Sequence, residues 1–235
     1  MGKHKPIGMI ALGAVFCLLF VAPAFAATVN VGDMVTLNYA LNNSHYGGGA
    51  FKATDTYSGS IWNTFCLEKT EYFSPGSTYK VDSVGFYAIG GGAGIANPPG
   101  TTSTGSVGTG DPISYQTAFL YDAFLNHASL LPSGGYQGTA GQQQSLQIAF
   151  WYLENEITSI SDSLAQAYVT YALSYQGTDD FGVRVFNPVT LNNAGAIVAR
   201  NQSMLYQSVP EAGALLLFGT GLVGLVGYRR VRRMQ

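Results

Sequence analysis

The chain has 235 residues, only 10% of them charged, and a formal net charge of −2. That charge is unevenly spread. Residues 27–208 hold five basic residues (Lys52, Lys69, Lys80, Arg184, Arg200) against twelve acidic ones, a net −7. A sparse acidic body offers no basic face, which argues against nucleic acid as a partner.

The first residues read as an export signal. Lys3, His4 and Lys5 form a basic head, Ile7–Val21 an apolar run, and Ala24-Phe25-Ala26 an A-x-A site, so residues 1–26 are expected to form a signal helix removed after Ala26. Ala14-Val15-Phe16 before Cys17 lacks the small residue that a lipoprotein signal places directly before its cysteine. With Cys17 removed, Cys66 is the sole cysteine of the mature chain, which leaves no disulfide partner.

Strand patterns follow. Thr28–Leu41, Ile61–Glu68 and Thr78–Ile89 mix β-branched residues with partial alternation, separated by Gly and Pro. Residues 90–110 have no periodicity and read as a flexible Gly-rich loop. They lack the GK[ST] or GxGxxG context of a phosphate cradle.

Three helices come next. Asp111-Pro112 is expected as cap and first residue of one, with Phe119, Leu120, Ala123, Phe124 and Leu131 along its stripe. In a second, about Gln142–Ile157, the residues Leu146, Ala149, Phe150, Leu153 and Ile157 make an apolar face. A third is expected over about Ser161–Tyr175, with Leu164, Tyr168, Tyr171 and Ala172 inward. Gly182–Leu191 and about Ala196–Tyr206 return to strand. The order predicts an α+β ectodomain over residues 27–208: a mostly antiparallel β-sheet or barrel with a helical insertion, between the N-terminal signal helix and a C-terminal transmembrane helix.

That last helix is expected over residues 212–228, which carry no charge and are followed by Arg229, Arg230, Arg232 and Arg233, a membrane-stop cluster that holds its end in the cytoplasm. Val209-Pro210-Glu211, this apolar stretch and the arginines together resemble the PEP-CTERM sorting tail of Gram-negative bacteria, over residues 209–235. The resemblance implies recognition by an exosortase, a processing enzyme of the inner membrane, and delivery to the cell surface or the extracellular polysaccharide. Ala212 stands where that family usually has proline.

Conventional catalytic sites are poorly represented. There is no GxSxG, no HExxH and no CxxC, so no metal or other cofactor, and no enzyme activity, is expected. Most carboxylates read as solvated. Glu154 and Glu156 point in different directions on a helix and do not form a pair on one face. The informative residues are Cys66 and Gln147. At about 100° per residue, Gln147, Trp151 and Glu154 form a second stripe beside the apolar face. A strand cysteine facing Gln147 is placed to attack its carboxamide, release ammonia and leave a Cys–Gln thioester that an amine can open. Cys66 is equally readable as a small buried hydrophobe, and Glu68 as a charge that raises its thiol pKa.

The stretch Phe65-Cys66-Leu67-Glu68 and Leu146–Trp151 (LQIAFW) are similar to the two motifs of bacterial thioester domains, found on surface adhesins. The resemblance implies that Cys66 is the thiol and Gln147 the acyl donor, with Phe65, Glu68 and Trp151 supporting them. The implied function is a surface or matrix interaction protein that attaches covalently to an amine-bearing ligand. The alternative is a non-catalytic structural or carbohydrate-binding component of the exopolysaccharide matrix; a carboxylate hydrolase is a third, weaker reading.

Overall fold

The computed structural model describes residues 28–40, 48–89 and 110–208. The expected signal, the Gly-rich loop apart from Gly110, and the sorting tail lie outside these residues. Among the described residues no helix is long and apolar enough to cross a membrane, and the expected span 212–228 is not among them.

The described chain is a mixed α/β structure built on one antiparallel sheet and three helices. Its strands are β1 (Met34–Tyr39), β2 (Phe51–Asp55), β3 (Ile61–Thr64), β4 (Thr78–Gly85), β7 (Val183–Leu191), β8 (Ile197–Arg200) and β9 (Met204–Gln207). A two-residue pair, β5 (Tyr87–Ala88) with β6 (Asp111–Pro112), stands apart. The helices are α1 (Tyr115–Asn126), α2 (Ala140–Leu153) and α3 (Ser163–Leu173).

The sheet runs β3-β2-β1-β4-β7, and both β8 and β9 pair with β7. The single strand expected over Ala196–Tyr206 is thus two, broken at residues 201–203. The path then returns to its start. Leu67 N–H donates to Ser203 O at 3.0 Å, Leu205 N–H donates to Phe65 O at 3.2 Å, and Cys66 bridges Met204. Residues 65–67, directly after β3, therefore close the ring of pairings through β9.

Side chains alternate across this closing stretch as strand geometry requires. Phe65 and Leu67 enter the core between helices and sheet, with Leu120, Tyr121, Phe124, Leu146, Phe150 and Leu205. Cys66 enters the other core, with Leu37, Phe51, Trp151, Phe186 and Met204.

The expected helix start at Asp111-Pro112 is corrected. Those residues pair with Tyr87–Ala88, and Ile113 N–H donates to Phe86 O at 2.9 Å, so the backbone is still extended there. The cap is Ser114, whose hydroxyl accepts Thr117 N–H at 3.0 Å. Leu131 lies beyond a short 3-10 turn (Ala128–Leu130) rather than on α1. α2 starts at a capping box, Thr139 with Gln142, and ends before Glu154, so Ile157 lies past it. Strand β2 is unpredicted by the sequence reading: Phe51, Ala53 and Asp55 alternate inward over only five residues.

Candidate functional site

Gln147 sits mid-way along α2, beside the residues that bury Leu146 and Phe150 among the helices. Its own side chain turns toward the closing stretch of the sheet. Cys66 N–H donates to Gln147 Oε1 at 3.0 Å, and Gln147 Nε2 donates to Cys66 O at 2.7 Å. The carboxamide thus pairs with the Cys66 backbone as another strand would. Gln147 is fully buried and Cys66 is 5% exposed.

Gly48 packs onto the same carboxamide. A Cβ at this position would lie 2.5 Å from Gln147 Cγ, 3.2 Å from its Cδ and 3.0 Å from Trp151 Cη2, and φ is +95°. Only glycine meets both demands. Nothing in the sequence periodicity marks Gly48; its place is set by the close approach alone.

A cavity of about 450 Å³ opens beside the pair. Tyr39, Phe51, Tyr72, Phe73 and Trp151 give it an aromatic lining, Cys66 forms part of its wall, and Lys69 and Glu71 bring the two charges. Burial pushes the Cys66 thiol pKa far above its ordinary value, and the negative charge of Glu71 pushes it further. The carboxylate responsible is Glu71, not the sequence-adjacent Glu68.

The other expected site residues are placed as follows. Phe65 is buried with its ring 4.8 Å from Phe150 and 5.1 Å from Phe124, centroid to centroid. Trp151 is 9% exposed, and its indole nitrogen has no hydrogen-bond partner. Glu68 is 2% exposed. Val209, Pro210, Glu211 and the four arginines lie outside the described residues.

The expectation of solvated carboxylates is corrected. Glu68, Glu154 and Glu156 are all buried, and carboxylate oxygens of Glu68, Asp111 and Glu156 lie within 4.8 Å of one another. Glu154 does sit apart from Glu156 in bonding. Its Oε1 accepts Ser114 N–H and Ser114 Oγ at 3.1 Å each and Thr117 Oγ1 at 2.5 Å, which ties the end of α2 to the start of α1. Glu156 lies past the helix, and there both charges bear on Asp111. Burial, then Glu154 and Glu156, raise Asp111 to about 7. Burial raises Glu154 to about 7 against the opposing hydrogen bonds from Thr117 and Ser114.

The sign of the resulting pH dependence is fixed. Each of these carboxyls binds its proton more tightly folded than unfolded, so folding is favoured in acid and that advantage is lost as pH rises from about 4 to about 7. With divalent ions chelated, the unfolding temperature is expected to fall across this interval. In Glu154→Gln the slope should be shallower; an equal slope in both proteins would place the titration elsewhere.

Residues 208–233 match the PEP-CTERM protein-sorting motif. No curated protein and no solved structure matches the chain. The chain carries a PEP-CTERM sorting motif, which supports an exported protein that associates with the membrane and is sorted to the cell surface by an exosortase.

Proposed function

We propose that this exported protein forms an internal thioester between Cys66 and Gln147 and uses it to attach covalently to an amine on a surface or matrix ligand. The observation that carries the reading is the double hydrogen bond between the Gln147 carboxamide and the Cys66 backbone. Cys66 N–H on Oε1 polarises the carbonyl and is positioned to hold negative charge on that oxygen as sulfur attacks Cδ. The C–S bond forms, the C–N bond breaks, and Nε2 leaves as ammonia with the thiol proton. An amine then opens the thioester: a C–N bond forms, the C–S bond breaks, and the proton released by the amine returns to Cys66 sulfur. The raised thiol pKa makes the first step slow without a proton acceptor, and Glu71, which lines the same cavity, is the candidate for that role.

Intact mass of the full chain tests this. Thioester formation removes about 17 Da, and methylamine then adds about 31 Da to the thioester form. Cys66→Ala and Gln147→Ala should each abolish the loss. Lys69 borders the same cavity and is the competing internal amine. Its attack would preserve the loss but refuse methylamine, and Lys69→Ala would then restore methylamine uptake. An unmodified mass with a titratable thiol overturns the reading.

The second reading is a non-catalytic matrix component. The aromatic lining of the cavity favours it, because Tyr39, Tyr72 and Trp151 give faces on which sugar rings stack. Saturable polysaccharide binding that survives Cys66→Ala is its signature.

A further inference from the structure

Three segments distant in sequence converge on one small volume: Glu68 after the closing stretch, Asp111 at the start of β6, and Glu156 past the end of α2. Glu68 is 2% and Glu156 9% exposed. Glu156 spends Oε2 on Lys69 N–H at 2.9 Å, while its Oε1 is buried with no partner. Asp111 Oδ1 is likewise buried and unpartnered. The ion pairs His127–Asp122, Arg184–Asp180 and Arg200–Asp82 lie elsewhere, and among the described residues none reaches Asp111 or Glu156. Unsatisfied carboxylate oxygens in a low-dielectric setting are costly, and a bound cation removes that cost.

We propose that Glu68, Asp111 and Glu156 form a calcium site that joins the strand carrying Cys66 to the end of the helix carrying Gln147. The donors are all hard oxygens, with no thiolate or imidazole among them, which disfavours zinc and copper. Calcium binds oxygens at roughly 2.3–2.6 Å, so donors on opposite sides of one ion lie roughly 4.6–5.2 Å apart. Three oxygens that all fall within 4.8 Å of one another can therefore reach a common calcium ion with shifts of at most a few tenths of an ångström. Backbone carbonyls and water complete the irregular shell that calcium tolerates and magnesium does not. The site is independent of the thioester: it needs neither Cys66 sulfur nor an acyl bond.

The test uses the full chain, purified in mild detergent and stripped with chelator. Calorimetric titration with calcium chloride is expected to show one ion per chain. At about one hundred times the dissociation constant, calcium should raise the unfolding temperature by roughly 5–10 °C. Asp111→Asn and Glu156→Gln should each reduce the shift, and the double variant should abolish it. Asp179→Asn, at an exposed carboxylate outside the cluster, should leave it intact. Absence of calcium heat and of any thermal shift in the wild-type chain overturns the site, whether or not the variants fold. An equal shift with magnesium, or a full shift in the double variant, also overturns it, because either result means general charge screening.

Discussion

Gly48→Ala is expected to abolish thioester formation while leaving both reacting groups in the chain. The new methyl would sit 2.5 Å from Gln147 Cγ and 3.2 Å from Cδ, closer than packed carbons tolerate. The residue would also have to hold φ at +95°, which alanine resists. The carboxamide cannot yield inward, since α2 and the Cys66 backbone fix it on its other sides, so it must leave its seat. Overpacking and backbone strain together should cost about 2–4 kcal/mol. Mass spectrometry should show the loss of about 17 Da vanish, with no methylamine uptake. Gly141→Ala is the matched control. It lies in α2 with open space around its would-be Cβ, and should stabilise by roughly 0.5–1 kcal/mol while the mass loss persists. A Gly48→Ala protein with the full loss and an unchanged unfolding temperature would sink the close-approach argument.

Phe65→Ala has the largest expected effect on stability. Phe65 is fully buried, and its ring contacts Phe124 from α1 and Phe150 from α2. Its carbonyl meanwhile accepts Leu205 N–H in the ladder that closes the sheet. The residue thus joins two helices to the seam of the sheet. Truncation should cost about 3–5 kcal/mol, lowering the unfolding temperature by roughly 6–20 °C. Tyr57→Ala, at a side chain 97% exposed, should be nearly silent. Calorimetry on both proteins decides between a central and a peripheral role for Phe65.

The helices were legible because their signals are local. The spacing of Leu146, Phe150 and Leu153 marks the buried face of α2, although the expected start at Gln142 lies two residues inside the helix that the Thr139 capping box begins. Gln147 and Trp151 follow from the same arithmetic, and the FCLE and LQIAFW motifs pointed to the pairing with Cys66. Asp111-Pro112 misled because an Asp-Pro pair looks like a cap, and its partner strand, Tyr87–Ala88, lies across the Gly-rich stretch. The carboxylate cluster was illegible for a related reason. Its members share no helix face or strand register, and only the closing of the sheet and the turn after α2 bring them together. β8 and β9 read as one strand since both follow β7 in the same direction, and the break at residues 201–203 has no Gly or Pro to announce it.

Strand β9 is the last described element before the sorting motif, and residues 65–67 depend on it for their backbone pairing. Suppose the tail is held at the envelope and a ligand is bonded to Gln147. Tension between those two points runs covalently through residues 147–208 only. Strands β1 to β4 and Cys66 then lie outside the load-bearing path. A pull on the tail would first strip β9 from β7 and open the seam at Cys66, while the amide at Gln147 held. The grip on the ligand would outlast the fold that made it.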